Sequence, residues 1–331
     1  HEVGLKTLTK EISGVRTNMI GAGIVAAMLG IDKGGVRQAV SSTLGRKGNE
    51  VVDISMAGIE LGYRHVPAEV ALAIPDASTI TPRWNISGNE ACGYGALQGG
   101  VRLVAAYPIT PASEILEWLA PNLEKVSGTL IQAEDELASI NMVIGASFGG
   151  VPALTATSGP GMSLMVEAMG LAVASETPLV VIDVMRGGPS TGIPTKSEQG
   201  DLNLALYGFH GSAPHLVLAP TGIADCVFTT EWAVKLAERL QTVAIVLSDQ
   251  SLGQSRAIIE SPSRAPELEP RKTRCSTETP YQRYALTKDG ISAMAVPGTA
   301  GCIYTADGLE HNAQGTPSSM AQDHQQQADK R

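Results

Sequence analysis

The residues of this sequence whose types and spacing suit chemistry are few. They are three adjacent acids, a threonine between two prolines, a serine opening a Gly-Pro-Gly run, and an arginine ahead of two glycines. Glu134, Asp135 and Glu136 precede a helix predicted over 137–148, where Leu137, Ile140, Val143, Ile144 and Phe148 share one face. Glu136 then projects from a strand's end toward a crevice. Three carboxylates so close repel one another, and an apolar wall raises the pKa of whichever is buried, which suits proton relay. The competing reading is stabilisation of the helix dipole by acids near a first turn.

The other three features carry the same kind of double reading. In Tyr107-Pro108-Ile109-Thr110-Pro111, Pro111 fits a first helical turn and Thr110 is held rigidly, either to meet a ligand or merely to cap that helix. Ser158-Gly159-Pro160-Gly161 permits close backbone approach and an anion at a helix start, or is simply a tight strand-to-helix turn. Arg186, followed by Gly187, Gly188 and Pro189, reaches over a loop to take a carboxylate in bidentate fashion, or is a surface arginine.

Composition excludes several classes. The net charge of -9 speaks against nucleic acid and anionic membrane surfaces, which require clustered Lys and Arg. Cys92, Cys226, Cys275 and Cys302 are far apart and form no C-x-x-C pair, so neither an iron–sulfur ligand set nor a zinc site is present. Free thiols in a reducing compartment are expected. His210 and His215 belong to no H-E-x-x-H pattern, and no G-x-G-x-x-G follows a strand, which argues against a nucleotide-binding dehydrogenase. No apolar run approaches the roughly 18 residues of a membrane span. A cytoplasmic protein is expected.

The elements that must position these residues follow from pattern. With 331 residues, 36 Gly and only 4% aromatics, the core is built from aliphatic side chains and close backbone packing. Residues 1–65 read as helices over 15–29, 35–44 and 50–63, the end of something larger; His1 is no methionine, and a fragment is expected. Pro67, Pro75 and Pro82 mark 66–87 as a linker. Between 88 and 262 the pattern alternates. Strands are predicted over 102–106, 129–133, 153–157, 179–184, 216–219 and 243–248, with helices over 137–148, 162–173 and 224–240. This predicts an α/β fold with one doubly wound, mostly parallel sheet, whose ligands bind outside the carboxyl ends of the strands. The stretch 263–331 reads as irregular, predicts little compact core, and ends in a polar solvated helix or frayed segment.

Five stretches in order, YPITPASEI (107–115), EDELASINMVIGAS (134–147), TSGPGMSLMVEA (157–168), RGGPSTGIPTKSEQGDL (186–202) and PYQRYALTKDGISAMAVPG (280–298), resemble the alpha subunit of 2-oxoacid:ferredoxin oxidoreductases, the 2-oxoglutarate enzymes above all. Residues 1–65 resemble the end of the gamma domain fused ahead of alpha in this group. The resemblance implies a thiamine-diphosphate pyrimidine-binding domain over 88–262, and a segment over 263–331 leading to a further domain. It implies oxidative decarboxylation of a 2-oxoacid to an acyl-CoA, with coenzyme A as co-substrate and ferredoxin as electron acceptor.

By the same resemblance Glu136 hydrogen-bonds N1′ of the cofactor's aminopyrimidine, Thr110 donates to the substrate and Arg186 pairs with its carboxylate. Tyr107, Pro108, Ile109, Ser158 and Gly159 line the cofactor. Magnesium and a [4Fe-4S] cluster belong, by resemblance, to a beta subunit as partner. Ala112 and Met185 stand where the family often has Ser and Gln, which leaves open the preferred 2-oxoacid. Pyruvate, branched-chain or aryl 2-oxoacids, or a non-catalytic assembly role, are the alternatives. His311 resembles a family motif without an assignable role.

Overall fold

The computed structural model describes residues 3–70, 72, 83–274 and 280–331. Half of the expected linker, including Pro75 and Pro82, lies outside the described residues, as does Cys275. Two compact units divide the chain, His1–Thr81 and Pro82–Arg331. Among the described residues no helix is long and apolar enough to cross a membrane.

The first unit holds α1 (Leu5–Leu8), α2 (Thr17–Met28), α3 (Lys33–Leu44) and α4 (Asn49–Arg64). Asp32 starts α3 by accepting from the Gly35 amide at 3.1 Å. Glycines let α2 and α4 touch backbone to backbone: a Cβ at Gly23 would lie 2.1 Å from the Ile59 carbonyl oxygen, and one at Gly62 would lie 2.3 Å from that of Ile20. Ile20 and Ile59 fill the remaining space and are buried.

The second unit runs β1 (Trp84–Ser87), α5 (Gly88–Gly99), β2 (Leu103–Ala106), α6 (Ser113–Leu123), β3 (Thr129–Gln132), α7 (Glu136–Phe148), β4 (Ala153–Thr157) and α8 (Gly159–Ala174). It continues through β5 (Leu179–Met185), α9 (Leu202–Tyr207), β6 (Leu216–Leu218), α10 (Ile223–Leu240), β7 (Val243–Asp249), α11 (Gln250–Gln254), β8 (Arg256–Ile259) and α12 (Ala321–Lys330). Six strands form one sheet in the order β3-β2-β4-β5-β7-β6, and every pairing is parallel. They are the six predicted ones, with each end within one residue of expectation.

Both faces of the sheet are covered, which is why β5 and β7 are buried at every position. Helices α5, α6 and α10 pack on one face through residues such as Cys92, Ile115 and Val234. Helices α7 and α8 pack on the other through Ile140, Met162 and Met169. Glycine again sets the closest approach, since a Cβ at Gly95 of α5 would lie 2.4 Å from the Val227 carbonyl oxygen of α10.

Three features differ from the sequence expectation. The end of the supposed linker is strand β1, which pairs antiparallel with β8. A capping box between Ser87 and Glu90 then turns the chain at once into α5. The stretch after 262 contributes more core than expected: Arg283, Tyr284, Met294 and Ala295 are wholly buried. Charge fixes it, because Arg283 and Lys330 both reach Glu176 at the end of α8, and Arg271 binds Glu238 at 2.7 Å. The final helix is anchored rather than frayed, as Gln327 is buried and donates to the Tyr284 carbonyl at 3.2 Å. His311, its ring tilted against that of Tyr284 with centroids 3.8 Å apart, is part of this packing.

Because the α5–α10 contact leaves no room for a methyl group, Gly95→Ala is expected to lower unfolding free energy by about 1–3 kcal/mol. The exposed helical Gly145 has nothing within 4 Å of its Cβ position. Gly145→Ala should therefore be neutral or stabilise by up to ~1 kcal/mol. Urea denaturation of both variants checks the contrast.

Candidate functional site

In a doubly wound sheet the ligand crevice lies where successive connections leave in opposite directions. After β2 the chain moves outward through α6 to β3, whereas after β4 it moves the other way through α8 to β5. The helices lie on opposite faces of the sheet. The crevice therefore opens between the carboxyl ends of β2 and β4, flanked by residues 107–112 and 158–161.

The three acids after β3 separate into three roles. Glu134 is exposed; Asp135 caps α7 by accepting from the Ala138 amide at 2.6 Å. Glu136 is left as the first helical residue, only 7% exposed. Its carboxylate leans over α8, where a Cβ on Gly161 would meet Glu136 Oε1 at 2.7 Å and Thr157 Oγ1 at 2.2 Å. It has no hydrogen-bond partner among the described residues. Capping is thus performed by Asp135, and the dipole reading does not account for the burial of Glu136.

The Gly-Pro-Gly turn places three more groups beside it. Ser158 occupies the cap position of α8 in extended conformation, yet its wholly buried hydroxyl makes no hydrogen bond. Gly159 faces Asp201, whose carboxylate oxygens lie 2.5 Å from where a Cβ would be. A buried hydroxyl without a partner and the acid Glu136 thus stand together at the carboxyl edge of the sheet, where only glycine fits because Asp201, Thr157 and Glu136 take the space of a Cβ.

The loop after β2 meets the loop after β5. Tyr107, Pro108 and Thr110 are exposed, while Ile109 is half-buried against the core. Helix α6 starts at Ser113 after an uncapped Ala112, so Thr110 is not the cap of a helix beginning at Pro111. Instead its carbonyl accepts from Arg186 Nη1 at 2.6 Å. Arg186 Nη2 donates to the Thr191 carbonyl at 2.6 Å, and the side chain is 7% exposed, which rules out the surface alternative. Nε is buried without a partner. Asn89, missed in the sequence, braces the loop from behind by donating to the Pro111 carbonyl at 3.0 Å.

Two further acids were also missed. Asp249, at the end of β7, accepts from Gln199 Nε2 at 2.8 Å and Ser197 Oγ at 3.4 Å, and caps α11 through the Leu252 amide at 2.8 Å. Asp183 stands inside the otherwise apolar β5, wholly buried beside Asp201. Burial first, then the Asp201 charge, pushes the Asp183 carboxyl far above the usual carboxylate range. A lone acid in the apolar run Leu-Val-Val-Ile-Asp-Val-Met was its visible signal.

Comparison with known proteins fits this geometry. The family model described as pyruvate flavodoxin/ferredoxin oxidoreductase, thiamine diphosphate-binding, matches residues 94–330. The chain is 39% identical over 320 residues to subunit alpha of 2-oxoacid:ferredoxin oxidoreductase 1 of Sulfurisphaera tokodaii, covering 90% of this chain and 49% of that one. It is 52% identical over 177 residues to 2-oxoglutarate synthase subunit KorA of Archaeoglobus fulgidus, covering 54% of this chain and 51% of that protein. A solved 2-oxoglutarate:ferredoxin oxidoreductase from Magnetococcus marinus, with 2-oxoglutarate, coenzyme A and succinyl-CoA bound, superposes with a TM-score of 0.87 at 39% identity, covering 99% of this chain and 58% of that chain. The chain thus spans about half the length of the curated relatives it matches.

Asp249→Ala removes two loop tethers and one helix cap at once. It is expected to cost about 1–3 kcal/mol of stability and to accelerate proteolytic cleavage within residues 187–200. Mass analysis of the fragments locates the cut.

Proposed function

The chain belongs to the pyruvate flavodoxin/ferredoxin oxidoreductase family, thiamine diphosphate-binding, and on that premise we propose that it is the alpha part of a 2-oxoacid:ferredoxin oxidoreductase acting on 2-oxoglutarate. In this reading 88–262 binds the cofactor's pyrimidine, and 1–65 is the end of a gamma-type domain, joined to it through 66–87. Residues 263–331 lead toward a further domain. A beta subunit supplies the magnesium and [4Fe-4S] cluster, ferredoxin takes the electrons, coenzyme A takes the acyl group, and the enzyme is cytoplasmic.

The observation that carries the reading is Glu136, buried at the start of α7 with no hydrogen-bond partner among the described residues, at the carboxyl edge of the sheet beside Gly161. A carboxylate so placed is stabilised when it meets a ring N–H. Thiamine diphosphate, when bound, supplies the nucleophilic thiazolium carbon and the electron sink that decarboxylation requires. With the cofactor bound, Glu136 would hold a proton at N1′ of its aminopyrimidine. Ser158 and Gly159 border the ring, and Tyr107, Pro108 and Ile109 close the other wall.

Substrate orientation falls to the pair that the structure brings into contact, Thr110 and Arg186. Two guanidinium N–H groups are spent on the carbonyls of Thr110 and Thr191, which fixes the plane of the fork. The unpartnered Nε–H then remains for a carboxylate in a site largely shielded from water. The Thr110 hydroxyl, on the exposed side of the same loop, donates to the substrate.

The test is 2-oxoglutarate-dependent viologen reduction by the full-length chain co-expressed with its beta partner. Glu136→Ala is expected to lower the rate by about 10²–10⁴-fold without loss of assembly; equal rates would leave an assembly subunit instead. Arg186→Lys is expected to raise KM roughly 10–100-fold, the weight of a charge-assisted fork lost at a positioned site. Parallel assays with pyruvate, in which 2-oxoglutarate should be preferred, check the substrate.

A further inference from the structure

Asp183 and Asp201 form a pair that neither the family match nor the reading above employs. Asp183 lies on the α7/α8 side of β5, in the layer that holds Val181, Met185 and Leu247, and is 0% exposed. Neither of its carboxyl oxygens has a donor among the described residues, and the same holds for Asp201 Oδ2. Asp183 pairs with Thr157 across β4 and β5, and Asp201 packs on Gly159 two residues beyond it, so the two carboxyl groups are neighbours that act on each other. Two bare carboxylates cannot share such a place in an apolar layer; one proton between them removes both the repulsion and the missing donor.

The surroundings offer no other remedy. The charged group acting on the pair from the loop is Glu198, which adds negative charge. Among the described residues no basic side chain acts on either carboxyl, and the titratable group that α7 brings to this edge, Glu136 beside Thr157, is another acid. From β4 the register partner of Asp183 is Thr157, and from β7 it is Leu247. The first turn of α8 holds no acid, and Ser158 there contributes a buried hydroxyl that is itself unpartnered. Arg186, the nearby cation on the same loop, is committed to Thr110 and Thr191.

We propose that Asp183 and Asp201 share one proton, and that this O–H···O bond latches the far end of loop 186–201 to the sheet, making Asp183 a positioning residue for Arg186. The proton resides on Asp183, the wholly buried partner. Asp201 is only half-buried and touches the α8 N-terminus at Gly159, where the helix dipole favours an anion. The loop is thus held at its start by Arg186, near its end by Glu198 accepting from the Gly188 amide at 3.0 Å and by Gln199 on Asp249, and at its last residue by the shared proton.

The latch has a defined pH behaviour. The Asp183 carboxyl is raised in the folded protein, so the fold retains a proton that the unfolded chain gives up above about pH 3.9. Stability is therefore greatest in acid and declines as pH rises toward the folded-state pKa, where the proton is lost and two charges face each other. An amide at position 183 supplies the donor permanently and removes that decline.

The decisive measurement compares wild type, Asp183→Asn, Asp183→Ala and Asp201→Asn in the full-length protein assembled with its beta partner. Infrared difference spectra at neutral pH should show a protonated carboxylic acid band in wild type that is missing in Asp183→Asn and present but shifted in Asp201→Asn, where Asp183 stays buried and its acceptor has changed. The Asp183→Asn variant should keep wild-type resistance of 187–200 to protease and wild-type KM, with a flatter melting-temperature profile toward alkaline pH. Asp183→Ala should cleave faster in the loop and raise KM roughly tenfold.

Absence of the acid band in wild type, or Asp183→Asn behaving like Asp183→Ala, overturns the shared proton. A wild-type KM in Asp183→Ala despite a loosened loop overturns the positioning role. Should Asp183→Ala fail to fold, the band in Asp201→Asn decides: a shifted band supports the shared proton, and a band unchanged from wild type overturns it. Only the KM arm rests on the proposed 2-oxoacid reading; the infrared and proteolysis arms stand without it.

Discussion

Two missing Cβ atoms govern the rim of this sheet. At Gly159 and Gly161 the N-terminus of α8 is stripped of side chains, and three polar groups from other elements crowd into the space: Thr157 from β4, Glu136 from α7 and Asp201 from the end of the long loop. Distances of 2.2–2.7 Å from an ideal Cβ leave no tolerance for any other residue. The seat of Glu136 against α8, the approach of Asp201 to the helix end and the seat of the loop all follow from that one close contact. Parallel strands make it possible, because they bring consecutive loops to the same edge of the sheet.

Rigidity at the rim is achieved mostly with backbone carbonyls and carboxylates, not with apolar packing. Arg186 is clamped between two carbonyls, Asn89 holds a third, and Asp249 gathers two loop side chains and a helix start. Each uses a charged or amide group whose geometry is directional, so the loop is fixed in orientation as well as position. Apolar side chains left exposed near this edge, such as Ile193, Leu202 and Tyr207, contribute little to that fixation.

Much of this was legible in the residues. Runs such as Leu-Val-Val-Ile-Asp-Val-Met and Val-Ala-Ile-Val-Leu-Ser-Asp announce buried parallel strands because burial on both faces demands continuous apolar character. The crowding of Glu134, Asp135 and Glu136 pointed to the right helix start, but only coordinates could separate cap from buried acid. Thr110 was misread as a possible cap because the helix begins at Ser113 and not at Pro111. Short, polar strands β1 and β8 escaped notice since four residues carry too little periodicity, and their pairing spans more than 160 positions of sequence. Arg283 and Tyr284 were taken for loop residues because their burial comes from long-range ion pairing with Glu176, which no local pattern records.

That ion pairing bears on how the molecule comes into being. Glu176 is 6% exposed in the finished fold and is neutralised by Arg283, 107 positions later, and by Lys330, 154 positions later. On a translating ribosome adding about 5–20 residues per second, the acid waits roughly 8–30 s for its last partner. Until Arg283 emerges the end of α8 holds an uncompensated charge that must remain hydrated, and its second partner comes later still, so the helix cannot settle against its final neighbours. The nascent sheet is left open on one side, a natural time for a chaperone to hold it and for a stalled chain to be recognised and destroyed.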